Sequence, residues 1–287
     1  MFRRILVPLD GTPESNAALP AARTMAHATG ASVFLLQVLE SPEAEALAKD
    51  TAEKLRRVAD ELAGSGLRVE SAVLPGQAAN EILQQVHEQG ADLVIMRTRG
   101  HAGIQRAVMG SVAERLLSRS DVPIIMLRPG GRRLDRIANL LVTVDGSPGG
   151  ALALAKAVEL AKATGAQIRL IQVVVPMALH TLAPEGGLMY YDPAWDDEAL
   201  SAAQTHVAGM LTRLREAGVV ANGEGFMAPD IATCIVQAAD DNASDLIVMS
   251  THALTGLQRA LLGSVADAVV RTASCPVLLL RRRSQDN

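Results

Sequence analysis

The stretch VPLDGTP at residues 7–13 decides the fold of this chain, because it recurs as VTVDGSP at residues 142–148. Three further blocks recur in the same order: DLVIM at 92–96 as DLIVM at 245–249, GSVA at 110–113 as GSVA at 263–266, and VPIIMLR at 122–128 as CPVLLLR at 275–281. A repeat much longer than the roughly 20 to 50 residues of a solenoid unit indicates a duplicated domain. The sequence therefore predicts two copies of one domain in tandem.

Each copy alternates short aliphatic runs with amphipathic stretches. In the first copy, residues 5–9 read as a buried strand that ends at Asp10. Thr12 is predicted to cap the next helix with Pro13 in its first turn, and Gly30 to end that helix. The alternation continues to a fifth strand at 122–127, and the second copy repeats it over residues 140–280.

These patterns predict the fold class and its connections. Strands that alternate with helices and lack hairpin signals form a parallel sheet with right-handed crossovers. We therefore expect an α/β protein of two Rossmann-like domains, each a five-stranded parallel doubly wound sheet with helices on both faces. The aliphatic fifth strand of each copy would leave an unpaired edge. Pairing of the two fifth strands around a pseudo-twofold axis would cover both edges, so we expect an intramolecular pseudo-dimer.

A stretch rich in glycine and arginine, PGGRR at 129–133, reads as the linker. It divides the chain into domain 1, residues 1–131, and domain 2, residues 132–287. Domain 2 carries an insertion near residues 176–198, which holds Tyr190, Tyr191 and Trp195. Three interpretations of this aromatic cluster stay open: a lid over the ligand site, a patch that packs on domain 1 or on a second chain, and a loop that covers its own core.

Composition limits the possible partners. The net charge of −4 is not that expected of a dedicated nucleic-acid binder, and no apolar stretch is long enough to span a bilayer. We therefore expect a cytoplasmic protein without nucleic-acid or membrane partners. The chain contains no HExxH, no paired CxxC and no GxxxxGK[ST] motif, so we predict no resident metal site. His101 and His252 lie in loops with no nucleophile beside them in sequence, and we assign no catalytic residue.

The position of a ligand site follows from the predicted topology. In an open doubly wound sheet, ligands bind beyond the carboxyl ends of the strands where the winding reverses. In domain 1 these ends hold Asp10, Val38 and the loop RTRGHAG at 97–103, which leads to Gly110 and Ser111 at a helix start. Glycines admit close backbone approach and a helix N-terminus favours anions, so this loop is suited to phosphate.

At these residues both halves resemble the universal stress protein domain, and the whole chain resembles a tandem universal stress protein. The nucleotide signature of that family is glycine, two residues, glycine, nine residues, then Gly-Ser or Gly-Thr. Domain 1 has Arg97, Gly100, Gly110 and Ser111 at these positions, and domain 2 has Ser250, Ala253, Gly263 and Ser264. The first glycine is thus missing in domain 1, and both early glycines are missing in domain 2.

The resemblance implies a role for each matching residue. Adenine and ribose would be held by Asp10 and the backbone around Val38 in domain 1, and by Asp145 and Val173 in domain 2. The remaining predicted ligand contacts, chiefly to the phosphates, are Arg97, Gly100, Gly103, Gly110, Ser111 and Val112 in domain 1 and Ser250, Ala253, Gly263, Ser264 and Val265 in domain 2. The Arg97 side chain would either crowd the nucleotide or reach a phosphate.

Three functions are compatible with the sequence. The leading hypothesis is a stress or regulatory protein that binds ATP, alone or with Mg²⁺, and changes conformation or partner on binding. The second is an interaction module that has lost nucleotide binding in one or both domains. The third is a slow ATP-hydrolysing enzyme. We also expect that the insertion is available to mediate further dimerisation of the whole chain.

Overall fold

The computed structural model of the chain describes residues 1–40, 44–98, 109–177, 192–251 and 262–281. The elements of domain 1 are β1 (Arg4–Leu9), α1 (Ala18–Thr29), β2 (Ser32–Leu39), α2 (Ala44–Ala63), β3 (Val69–Pro75), α3 (Ala78–Glu88), β4 (Leu93–Arg97), α4 (Ser111–Arg119) and β5 (Ile124–Leu127). Those of domain 2 are β6 (Asn139–Thr143), α5 (Pro148–Thr164), β7 (Gln167–Val174), α6 (Ala194–Glu216), β8 (Ala221–Met227), α7 (Ile231–Asp241), β9 (Leu246–Thr251), α8 (Ser264–Thr272) and β10 (Val277–Arg281). Among the described helices, none is long and apolar enough to cross a bilayer.

All of these strands belong to one ten-stranded sheet in the order β3-β2-β1-β4-β5-β10-β9-β6-β7-β8. Within domain 1 every neighbouring pair is parallel, and the chain reverses its winding direction between β1 and β4. Domain 2 repeats this arrangement from β6 to β10. The predicted doubly wound α/β fold is therefore confirmed in both halves.

The side chains of each strand alternate between two layers of core, as the pleat of a strand requires. In β1, Ile5, Val7 and Leu9 face the core that contains residues of α1, α2, α5 and α6. Leu6 faces the core that contains residues of α3, α4, α7 and α8. Each core includes residues of both halves, so helices cover both faces of the sheet as predicted.

The two halves meet at an antiparallel pair of strands, β5 and β10. Residues 124–126 oppose residues 277–279, and Ile125 faces Leu278 at the centre with both side chains fully buried. Each strand would otherwise present a row of unpaired N–H and C=O groups to solvent. The pairing gives both edges a partner, and it confirms the predicted pseudo-dimer through the fifth strands.

Two arginines at equivalent positions cross this boundary in opposite directions. Arg281, at the end of β10, donates to the carbonyl of Ser118 in α4, and Arg128, just after β5, donates to the carbonyl of Arg271 in α8 at 3.5 Å. Both carbonyls lie in the last turn of their helix, where acceptors lack partners within the helix and positive charge is favourable. Each half therefore caps the fourth helix of the other half.

The first helix of domain 1 begins later than predicted. A 3-10 turn (Ser15–Ala17) follows the loop, and α1 begins only at Ala18. The Thr12 hydroxyl donates to the Asp10 carboxylate at 2.5 Å and accepts from the Ser15 amide at 3.2 Å. Thr12 thus closes a tight turn instead of capping an α-helix, and the prediction for Thr12 and Pro13 is wrong in domain 1.

In domain 2 the equivalent prediction is confirmed. Ser147 is the N-cap of α5, its hydroxyl accepts from the Gly150 amide at 3.2 Å, and Pro148 is the first helical residue. Gly30 and Gly165 end α1 and α5 with φ of 72° and 74°, a left-handed conformation that glycine adopts without a steric penalty.

Truncation of the central pair tests the packing of side chains across the boundary between the halves. We expect Ile125→Ala and Leu278→Ala each to lower the free energy of unfolding by about 2–5 kcal/mol, because each leaves a cavity in a closed core. The double variant should lose less than the sum, since the two side chains face each other. Urea unfolding of the three variants measures both effects, and Val220→Ala, at a position 69% exposed, serves as a control. Strictly additive losses would contradict direct packing across the boundary.

Candidate functional site

The winding reversal opens a crevice between β1 and β4. β4 pairs with β1 only at Ile5 and Leu6, whereas β2 stays paired with β1 as far as Leu9. Pro8, which cannot donate a backbone hydrogen bond, therefore lies beyond the last residue of β1 that is paired on both sides. In domain 2 the pairing of β6 with β9 likewise ends at Val142. The crevice lies where the topology predicts a ligand site.

An aspartate follows the first strand of each half at this crevice. The Asp10 carboxylate accepts from the Thr12 amide at 3.1 Å, and the Asp145 carboxylate accepts from the Ser147 amide at 3.0 Å. Both aspartates are exposed. The glycine after each has a positive φ, and this turn holds the carboxylate at the end of the strand.

A cavity of about 650 Å³ lies beyond the carboxyl ends of β2 and β3 in domain 1. It is bounded by the first turns of two helices, α3 and α4, and by the residues that end the two strands. Its lining residues are Leu39, Glu40, Pro75, Gly76, Gln77, Ala79, Ser111, Val112 and Arg115. The volume is within the range of small-molecule sites. Two of the predicted phosphate residues, Ser111 and Val112, line it directly, and the predicted Val38 immediately precedes Leu39 in β2.

The first turn of α4 presents backbone amides at the cavity. Gly110 is the N-cap residue and supplies no side-chain acceptor, and Ser111 is exposed. The first amides of a helix have no partner within it, so this turn can donate to an anion. In domain 2, Gly263 is the N-cap of α8 in the same way, and Ser264 is exposed. Val112 and Val265 pack against the core beneath each turn.

The first turn of α3 already has an acceptor. The Glu40 carboxylate accepts from the Ala78 amide at 2.7 Å, because the N-cap residue Gln77 makes no side-chain cap. In domain 2 the N-cap residue Asp230 performs this function itself and accepts from the Ala232 amide at 3.0 Å and the Thr233 hydroxyl at 2.5 Å. The two domains therefore place a carboxylate at the same helix terminus from different parts of the chain.

The residues that end the fourth strands differ between the two domains. The Arg97 guanidinium donates to the Glu14 carbonyl at 2.8 Å and so ties β4 to the loop after β1. Its counterpart Ser250 lies against Gly149 of α5. A Cβ atom added to Gly149 would be only 2.9 Å from the Ser250 hydroxyl oxygen. Arg97 thus contacts the protein backbone and is not among the residues that line the cavity.

Several predicted positions lie outside the described residues. These are Gly100, His101 and Gly103 in domain 1, Ala253 and His252 in domain 2, and Tyr190 and Tyr191 of the insertion. Trp195 is described: it lies in the first turn of α6 and is 41% exposed. Next to it, the Asp196 carboxylate accepts from the Met177 amide at 2.7 Å and connects the two described ends of the insertion.

Sequence reasoning missed Glu40, Arg115 and His206. Arg115 follows Ser111 by one helical turn, and this i, i+4 spacing was the signal that both face the same cavity. Glu40 lies two residues after Val38 at the same sheet edge. In domain 2 the half-buried His206 contacts Gln172 at 2.7 Å, next to the turn at Gly146, and no local pattern marks it.

Within the described residues, no group of three or more His, Cys, Asp or Glu side chains is arranged to hold a metal ion. At the start of α7 the pKa of Asp230 is lowered, chiefly by the Thr233 hydroxyl, while burial opposes this shift and the amides of Thr233 and Ala232 add to it. This hydrogen bonding favours the charged carboxylate.

The fold defines a class of protein: two doubly wound α/β domains, each with a crevice at its winding reversal. The profile of the universal stress protein family matches residues 1–128 and 137–281. The chain therefore belongs to the universal stress protein family, with one family domain in each half.

Comparison with known proteins agrees with this assignment. A universal stress protein of Mycolicibacterium smegmatis is 25% identical over 304 aligned positions, which cover 97% of each chain. A single-domain universal stress protein from Thermus aquaticus is 30% identical to this chain and covers 45% of it. The crystal structure of a universal stress protein from Archaeoglobus fulgidus covers 98% of this chain with a TM-score of 0.74 and 20% identity.

Replacement of the Asp230 cap tests the geometry at α7. Asp230→Ala should destabilise the protein by about 0.5–2 kcal/mol because two donors lose their acceptor, whereas Asp230→Asn should retain most of the cap. Because the Asp230 pKa is lowered, its contribution is complete above the ordinary aspartate pKa and is lost as the pH falls through the lowered value. Urea unfolding of the three proteins between pH 7 and pH 3 measures both effects. Equal stability of Asp230→Ala and wild type at pH 7 would contradict the cap.

Proposed function

We propose that this chain is a cytoplasmic stress-response protein that binds adenine nucleotides, with ATP as the leading ligand. The observation that supports this proposal most strongly is the cavity of about 650 Å³ in domain 1. It extends from the end of β2 to the first turn of α4, and its lining includes two of the predicted phosphate residues, Ser111 and Val112. We also propose that the chain divides into domain 1 at residues 1–131 and domain 2 at residues 132–287.

In this proposal the base and ribose lie along the sheet edge between Asp10 and Val38, and the phosphates extend toward α4. The first-turn amides at Ser111 and Val112 would donate to phosphate oxygens, assisted by the positive end of the helix. Gly100 and Gly103 would complete the loop. In domain 2 the equivalents are Asp145, Val173, Ser264 and Val265 with Ser250, Ala253 and Gly263. Mg²⁺ would enter only with the nucleotide, held by its phosphates.

A second candidate function is an interaction module without nucleotide. Arg97 in domain 1 and Ser250 and Ala253 in domain 2 replace glycines of the family's nucleotide signature, and these replacements favour it. The Arg97 contact with the Glu14 carbonyl also shows that this side chain is already engaged by the protein. We do not assign a hydrolytic activity, because among the described residues of the crevice none is identified as a general base.

Thermal unfolding with and without nucleotide tests the proposal directly. A ligand that binds only the native state at a hundredfold excess over its dissociation constant stabilises it by about 2.7 kcal/mol. We therefore expect Mg-ATP to raise the unfolding midpoint, and GTP at the same concentration is the control for base recognition. An unchanged midpoint at millimolar ATP would leave the interaction module as the better reading.

Single replacements of the two aspartates assign binding to each domain. Asp10→Ala and Asp145→Ala should each weaken nucleotide binding in their own half by about 1–3 kcal/mol, because a hydrogen bond from the ligand to a charged acceptor is lost. Calorimetric titration of both variants measures the affinities, and each variant is the control for the other. Wild-type affinity in both variants would remove these carboxylates from the site.

A further inference from the structure

The cavity of domain 1 has charges of opposite sign at its two ends. At the α3 end, the Glu40 carboxylate is bound to the Ala78 amide, and the Glu81 carboxylate lies so close to Gly76 that a Cβ there would be 2.6 Å from its oxygen. At the α4 end, the cavity is lined by Ser111 and by the exposed Arg115. An anionic group is therefore repelled from one end and attracted to the other.

The remaining charged residue in the first turn of α4 does not oppose this arrangement. Glu114 interacts electrostatically with Arg271 of domain 2, and it is not among the residues that line the cavity. Arg115, one residue further, does line it. The cation and the first-turn amides of α4 thus reinforce each other at one end of the cavity.

The internal repeat shows which of these charges domain 2 retains. Ala268 occupies the position of Arg115, Val175 that of Glu40, and Cys234 that of Glu81. A carboxylate remains at the start of α7 because Asp230 caps that helix. The Arg271 guanidinium, one turn further along α8, is paired with Asp267 at 2.8 Å. Domain 2 therefore keeps the negative end of the arrangement and lacks the cation at the first turn of α8.

We propose that Arg115 determines ligand specificity in domain 1, so that this domain discriminates adenine nucleotides by their phosphate charge more strongly than domain 2 does. This inference rests on the proposed function and adds a difference between the two sites. A guanidinium that faces phosphate forms charge-assisted hydrogen bonds, and each phosphate that it contacts increases the attraction. Adenosine has no phosphate and gains nothing from Arg115.

Calorimetric titration of the full chain with ATP and with adenosine tests the inference. Arg115→Ala should weaken ATP binding in domain 1 about tenfold or more and leave adenosine affinity within about twofold, since hydrogen bonds to charged groups are the strong ones. The matched control is Arg119→Ala, which removes the same charge one turn further along α4, outside the cavity, and should change neither affinity. Hydrogen exchange of the first turns of α4 and α8 assigns each binding event to its domain.

Two exchanges of charge extend the test. Ala268→Arg should raise the ratio of ATP to adenosine affinity in domain 2, because it restores the missing cation. Glu40→Gln retains an acceptor for the α3 amide and should raise ATP affinity slightly, a change opposite in sign to that of Arg115→Ala. Opposite signs at the two ends are what the polarity of the cavity requires.

The possible failures are distinguishable. If the wild-type chain binds neither ATP nor adenosine, the proposed function fails and this inference with it. If nucleotides bind but Arg115→Ala leaves the ratio of ATP to adenosine affinity unchanged, the inference alone is wrong. Equal loss of both ligands in Arg115→Ala would indicate a structural role for Arg115 and would also overturn the inference.

Discussion

The antiparallel contact between β5 and β10 is the constraint on which the rest of the molecule depends. It joins two parallel sheets that would each end in an exposed aliphatic edge, and it lets both core layers include residues of both halves. Because the central pair is antiparallel, the strands of the two domains point in opposite directions. The carboxyl ends of the two sets of strands therefore face in opposite directions. The two crevices lie at these opposite ends, and one ligand cannot bridge them.

The same boundary connects the site helices at their other ends. Ser111 begins α4 at the cavity of domain 1, and the carbonyl of Ser118 in the last turn of α4 receives Arg281 from domain 2. Arg128 and Arg271 repeat this contact in the opposite sense. The helices that carry the predicted phosphate contacts are therefore held at their C-terminal ends by the neighbouring domain, and this support fixes the direction of each helix toward its own crevice.

Most of the fold could be predicted from the sequence because its signals are local and occur twice. The DG turn, the left-handed glycines and the aliphatic strands all repeat, so a pattern found in one copy supports the same assignment in the other. The start of α1 could not be predicted, because Thr12 and Ser147 are both good caps and only the hydrogen bonds among Asp10, Thr12 and Ser15 decide between a turn and a helix.

The candidate site was predictable to the extent that it follows from strand ends. Asp10, Val38 and Ser111 were expected at the carboxyl ends of the strands. The structure brings the carboxyl end of β2 and the first turn of α4 to one cavity. Glu40 and Arg115 required knowledge of how α3 and α4 pack, since only the packed structure brings both residues to one cavity. Neither belongs to a motif, and the charge of Arg115 distinguishes the two halves, since Ala268 occupies its position in domain 2.

The single covalent connection between the domains has an evolutionary consequence. In a homodimer every substitution appears at both sites, so the two sites stay alike. A linked pair has fixed stoichiometry, and the high effective concentration of each half around the other keeps them associated even at great dilution. One half can then carry a cation such as Arg115 where the other has Ala268, and a single polypeptide can present two receptors of unequal selectivity in a constant one-to-one ratio.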